Sequence, residues 1–165
     1  MSGFIIHLAA LGRSGEQLEE RATAGELGLA EAQWPGGIEG SLRVDKSGEQ
    51  VSVRGRVQAV ARQECVRCLA TFDRLIEAEL VVYADRSGGS RFERELEDDE
   101  YMKFHDGRWV DLREETREAL LLELPITPHC REECRGLCPG CGADLNQGAC
   151  GCSEPRERGP SGTRG

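Results

Sequence analysis

Between Ile38 and Ala84 apolar and polar side chains alternate with few interruptions, the period-two signature of strands with one buried face. "SLRVD" leads through a turn at Lys46-Ser47-Gly48 into "QVSVRGRVQAVARQ", where Val51, Val53, Val57, Ala59 and Ala61 share a side. Beyond Cys65 and Cys68 the alternation resumes in the opposite phase, with Phe72, Ile76, Ala78, Leu80 and Val82. The reversal predicts a hairpin with this C-x2-C pair at its tip. Folding back between Val66 and Arg67 sets Val57 against Ile76, Val53 against Leu80, Val51 against Val82 and Ala61 against Phe72. The same register brings Arg56 to Glu77 and Arg54 to Glu79 on the solvent face, so one pairing satisfies both faces.

Elsewhere the pattern is shorter. "FIIHLAAL" (Phe4 to Leu11) predicts a short buried strand, and "WPGG" at Trp34 to Gly37 a turn or loop. Residues 12–37 are rich in Gly, Glu and Ala, and no element is assigned to Glu16 to Ala24. "ERELEDDE" (Glu93 to Glu100) holds six acids in eight residues and reads as a solvated loop or an interaction tail. "GRWVDLREETREALLLELP" then predicts a strand at Trp109-Val110 and a helix. Asp111 and Glu114 have the spacing of a capping box. Leu112, Thr116, Ala119, Leu120 and Glu123 fall near one stripe, and Pro125 ends the helix.

The expected fold class is therefore α+β: a small antiparallel β-rich domain with one C-terminal helix and a cysteine-rich zinc-binding tail. The expected organisation is a domain over 1–124, a metal-binding segment over 125–152 docked on the hairpin tip at 65–68, and a disordered tail over 153–165.

Composition sharpens this picture. The 165 residues suffice for one ordinary domain and an appendage, and with 5% aromatics against 31% charged residues the core must be small and mostly aliphatic. A net charge of −9 argues against a protein whose main business is gripping bare phosphate backbone. No apolar run approaches the roughly 18 residues of a membrane span. "MSGFIIHLAALGRSG" lacks the basic start and apolar length of a signal peptide. The expected location is cytoplasmic, where thiols stay reduced. Eight cysteines then need a reason other than disulfides.

Six of them lie between Cys130 and Cys152, a stretch whose only other sizeable apolar residues are Leu137 and Leu145. Ordering costs about 1–2 kcal/mol per residue, so two leucines cannot hold it; coordination can. Cys138-Pro139-Gly140-Cys141-Gly142 has the form of a zinc knuckle, and Cys150 and Cys152 complete four thiolates, the closed set of a structural tetrahedral Zn²⁺ site. Cys65 and Cys68 with Cys130 and Cys134 make a second set that ties the tail to the sheet. This predicts two zinc ions per chain and shifts the net charge from −9 to about −13. Three alternatives stay open: a single site of Cys130, Cys134, Cys138 and Cys141 with His129 as substitute ligand; thiol–disulfide chemistry; and an iron–sulfur cluster.

Catalysis finds little support. All-cysteine sets leave no open position on a metal, and there is no phosphate-binding glycine loop or nucleophile elbow. His7 falls in or beside the first strand, and His105 in a turn of "KFHDGRW". The reading is a protein that is not an enzyme. Arg54, Arg56, Arg62, Arg67 and Arg74 can reach phosphates, but the hairpin register neutralises the first two. Arg62, Arg67 and Arg74 remain as RNA-binding candidates.

"CVRCLATF" (Cys65 to Phe72), "VDLREETREALLLELPITPHC" and "CRGLCPGCGADLNQGACGC" together resemble the YceD family, the large ribosomal RNA subunit accumulation proteins. The resemblance covers roughly residues 38–152, with Phe4 to Leu11 fitting more weakly. It implies a cytoplasmic role in the accumulation or maturation of large-subunit (23S) ribosomal RNA, without a mechanism. Some members lack most of the C-terminal cysteines, which makes the tail look like an elaboration. The resemblance does not make the cysteines ligands; spacing and redox chemistry do that. The expected partners are a ribosomal protein, an assembly factor or the rRNA of the large subunit, with no membrane and no small-molecule substrate. A surface this acidic suits a basic protein better than naked RNA.

Overall fold

The computed structural model describes residues 3–12, 15–86 and 102–152. The acidic run 93–100 and the tail 153–165 lie outside the described residues. Seven strands and one α-helix are present among those described: β1 (Ile5–His7), β2 (Glu16–Ala22), β3 (Ile38–Ser47), β4 (Gln50–Glu64), β5 (Thr71–Arg86), β6 (Met102–His105), β7 (Trp109–Asp111) and α1 (Arg113–Leu122). A five-stranded sheet runs in the order β2-β3-β4-β5-β6, and β1 pairs with β7 in a small second sheet. All pairings are antiparallel except β5 with β6, which is parallel.

Alternation builds the inner face: Ile38, Leu42 and Val44 of β3, Val51, Val53, Val57, Ala59 and Ala61 of β4, and Ile76, Ala78, Leu80 and Val82 of β5 are all buried. Phe4, Ile6, Leu8, Trp34 and Val110 cover this face together with Leu112, Thr116 and Leu120 at α1. Gly40 is in the same inward phase as its strand neighbours, yet a Cβ there would lie 2.6 Å from Phe4 Cε1. The missing side chain is the space the phenyl ring occupies.

The long hairpin forms with its tip where expected but two residues out of the expected register. Val53 faces Val82, Val57 faces Ala78, Ala59 faces Ile76 and Val51 faces Ala84; Arg56 faces Glu79, and Gln58 faces Glu77. A shift of two leaves every side chain on its own face, so alternation cannot distinguish the registers. The tip decides. Cys65 N–H closes on the Ala70 carbonyl at 2.9 Å and Leu69 N–H on the Cys65 carbonyl at 2.9 Å, with Leu69 at φ +60°. Arg54 consequently meets Tyr83 rather than Glu79, donating to its hydroxyl at 2.6 Å.

Three further expectations change. "FIIHLAAL" is a strand only over Ile5–His7 before a 3₁₀ turn at Leu8–Ala10. His105 is not in a turn: it ends β6, buried, with Nε2 donating to the Glu49 carbonyl at 2.8 Å and Nδ1 accepting from Gly107 N–H at 3.0 Å. The capping box does not form. Leu112 is drawn into the core and its N–H donates to the Phe4 carbonyl at 2.8 Å, so the helix starts at Arg113. Asp111 instead accepts from Arg113 N–H at 3.0 Å and holds its guanidinium at 2.6 Å. The Arg113 contact in turn lowers the Asp111 carboxyl below its ordinary pKa.

Gly40→Val should cost about 1–3 kcal/mol in urea unfolding, since the Phe4 ring has nowhere to move. Arg56→Ala, which removes an exposed side chain beside Glu79, should change stability by no more than about 1 kcal/mol. A larger loss in the same assay would contradict the register.

Candidate metal centre

The eight cysteines gather into two quartets. In one, the thiols of Cys65, Cys68, Cys130 and Cys134 lie within 4.8 Å of one another; in the other, those of Cys138, Cys141, Cys150 and Cys152 do so. The alternative grouping is split, with Cys130 and Cys134 in the first and Cys138 and Cys141 in the second.

Local structure explains how each sulfur arrives. The turn Cys65–Leu69 presents Cys65 and Cys68 from the end of the hairpin. The segment after α1 is laid across this tip by backbone bonds: Val66 N–H donates to the Pro128 carbonyl at 2.9 Å, and Leu137 N–H to the Arg67 carbonyl at 3.2 Å. Leu137 and Phe72 pack against the thiols. In the second quartet Cys138 N–H pairs with the Ala143 carbonyl and Gly142 N–H with the Cys138 carbonyl, both at 2.8 Å. Gly142 takes φ +75° to close that knuckle, a conformation natural to glycine.

Distances discriminate among the chemistries. Sulfurs are 3.7 Å apart for Cys65–Cys134 and for Cys68–Cys130, and 3.4 Å for Cys138–Cys150. A disulfide needs about 2.05 Å. Tetrahedral zinc with Zn–S near 2.3 Å separates its sulfurs by about 3.8 Å. Both quartets can therefore hold a single metal ion, and all four donors of each are soft thiolates.

Backbone and amide N–H groups prepare the sulfurs for negative charge. Burial pushes the Cys65 thiol up, but N–H groups of Cys130, Cys68 and Arg67 outweigh it and bring the pKa down to about 5. Cys138 falls to about 6 because the N–H groups of Cys141 and Gly140 face its sulfur. Cys130 is pushed up to about 12 by burial and by the neighbouring thiols, and Cys152 to about 12 by Cys141, Cys138 and Cys150. Each quartet thus accepts its first negative charge readily and resists the next, a resistance that a divalent cation removes.

Asn146 was not singled out by sequence reasoning, and from between Cys141 and Cys150 it reaches back to the first quartet. Its Nδ2 donates to Cys134 Sγ at 3.4 Å, its Oδ1 accepts from Arg135 N–H at 2.8 Å, and it lowers the Cys134 thiol pKa. The only signal was an amide residue in a glycine-rich stretch between cysteines. The quartets differ in exposure: Cys65, Cys68 and Cys134 are buried, whereas Cys141 and Cys152 are exposed.

The RNA-binding candidates sit around the first quartet, each already bonded to the protein. Arg62 pairs with Asp73 at 2.9 Å. Arg67 donates to the carbonyls of Cys134 at 3.2 Å and Glu132 at 3.4 Å. Arg74 donates to the His129 carbonyl at 2.9 Å and lies over the Phe72 ring.

Comparison with known proteins adds the lineage. The family model for large ribosomal RNA subunit accumulation protein YceD matches residues 53–160. An uncharacterized protein of Mycobacterium tuberculosis is 38% identical over 120 residues, 71% of this chain and 53% of its own. One from Mycobacterium leprae is 34% identical over 120 residues, 72% of this chain and 54% of its own. The chain therefore spans about half the length of these curated relatives. The chloroplastic large ribosomal RNA subunit accumulation protein YCED homolog 1 of Arabidopsis thaliana is 37% identical over 51 residues, 30% of this chain and 16% of its own. No solved structure matches. The family match runs from β4 through α1 and both quartets, and the chain belongs to the YceD family of large ribosomal RNA subunit accumulation proteins.

Proposed function

We propose that this chain is a non-enzymatic factor in the accumulation and maturation of large-subunit ribosomal RNA, acting by binding a component of the nascent large subunit. The observation that carries the reading is the family match over residues 53–160. The quartets support it from the side of chemistry: closed sets of four thiolates brace a structure and leave no position for a substrate. In this reading each quartet holds one Zn²⁺. The first clamps residues 125–135 to the hairpin tip; the second braces the terminal knuckle.

A basic protein is the partner this reading favours. The chain carries −9 before any thiolate is counted, and Arg62, Arg67 and Arg74 are bonded to neighbouring residues. Direct contact of those arginines with rRNA is the second reading, since all three belong to the hairpin end that carries the first quartet. Thiol-redox or rRNA-processing catalysis is the third. The short S···S distances in two four-membered groups favour metal over dithiol exchange.

Loop length does not stand against the shared site. Cys68 and Cys130 are 62 residues apart and Cys138 and Cys150 are 12 apart. Closing the longer loop costs only about 1.5 kcal/mol more, against about 10–16 kcal/mol from a structural zinc.

Purified protein should be colourless with two equivalents of zinc by elemental analysis; brown colour with iron and labile sulfide would indicate a cluster instead. Cys65→Ser should lose one equivalent and become cleavable by limited proteolysis at residues 125–135. Cys138→Ser should lose the other equivalent and keep a protease-resistant β-domain. A Cys65→Ser protein with full zinc and an uncut tail would show the hairpin thiols to be free.

Removing the protein from cells should lower the level of mature large-subunit rRNA. Affinity purification at low and then moderate salt should recover a large-subunit protein at both. Recovery of rRNA alone, lost as salt rises, would favour the arginine reading.

A further inference from the structure

β5 is 16 residues long, but β6 pairs only with Tyr83–Arg86 at its end. Before that point, no strand among the described residues lies on the side of β5 turned away from β4. There Ala78, Glu79, Leu80 and Val81 all line a groove of about 500 Å³. Successive side chains of a strand point to opposite faces, so four consecutive residues along one groove mean that the strand's edge forms its wall. Among the described residues nothing pairs with the outward N–H and C=O groups of that wall, a template for one more strand.

The facing wall is α1. Ala119 and Leu122 give it apolar surface, Leu122 being 83% exposed, and Glu114, Glu118 and Glu123 give it charge. Glu115 is already paired with Lys103 at 2.6 Å. Further along the edge, Glu77 and Glu79 stand on the outer face of the sheet with Arg56 beside them. Among the described residues no lysine or arginine lines the groove itself.

We infer that this groove receives an extended basic segment of a large-subunit protein, added as a strand on β5 between Glu77 and Val81. The inference rests on the assembly role proposed above and names the surface and the chemistry of the partner. One row of the segment's side chains would pass Glu77 and Glu79, and the other would pass Ala119, Leu122 and Glu118. Lysine or arginine alternating with small aliphatic residues satisfies both rows, and main-chain bonds supply register. Charge argues against the other partners. A second copy brings a chain of net charge −9 and RNA brings phosphates; both meet glutamates.

The test uses the full chain and a fluorescent ten-residue peptide alternating lysine and valine. Three comparison probes are a peptide of the same charge with two central prolines, a glutamate–valine peptide and a ten-nucleotide RNA. The lysine–valine peptide should bind and slow amide hydrogen exchange at residues 77–81. The prolines, which cannot donate to the edge, should weaken binding at least tenfold. Glu77→Lys with Glu118→Lys, both exposed positions, should weaken it at least tenfold with an unchanged circular dichroism spectrum. Equal binding of the proline peptide, tighter binding of the RNA, or indifference to the charge reversal would overturn the proposal. Pull-down separates the two levels. If the reversed chain recovers as much large-subunit protein as the wild type, the groove is wrong and the assembly role stands. If the wild type recovers neither large-subunit protein nor rRNA, the assembly role itself fails.

Discussion

Four thiols from distant parts of the chain meet at one point, and the C-terminal segment depends on that meeting. Cys65 and Cys68 arrive on a tight turn, Cys130 and Cys134 on a strand-less segment that has few apolar side chains to offer. Hydrogen bonds from Val66 and Leu137 set the segment across the tip, and the cation–carbonyl contacts of Arg67 and Arg74 add to them. Such bonds contribute about 1 kcal/mol each. They orient the segment, while the strength has to come from the sulfurs.

The molecule divides its charges by region. Arginine gathers at the tip, where it bonds carbonyl oxygens and Asp73. Glutamate gathers on α1 and the outer face of β5. A four-thiolate centre in the first quartet, as proposed, would add negative charge beside the arginines, which would then balance it. The hairpin tip and the edge between β5 and α1 consequently present different surfaces to a partner.

What could be read from the sequence was whatever repeats locally. The inner faces of β3, β4 and β5 follow from alternation, and the helix from its stripe of Leu112, Thr116 and Leu120. Register did not follow, because a two-residue slip conserves faces and only the Cys65–Ala70 closure chooses between them. β2 and β6 were missed for a different reason. As edge strands they carry mostly charged or exposed residues, so "EQLEERA" and "MKFH" hold too few buried positions to show a period. The cysteine groups were legible because chelate spacing is a sequence property. Asn146 was not, since its role depends on a fold that places it beside Cys134.

The separation of the two halves of the first quartet has a consequence for synthesis. A ribosome makes Cys65 and Cys68 long before Cys130 and Cys134, since Cys130 follows Cys68 by 62 residues, and both strands of the hairpin have been made once Arg86 is added. For that interval the nascent chain carries two thiols whose partners have not yet been made. The last sulfurs to emerge complete the quartet, so whether synthesis has passed Cys134 is recorded in the surroundings of the hairpin's own thiols. A product truncated before Cys130 would keep Cys65 and Cys68 without the two sulfurs that complete their quartet.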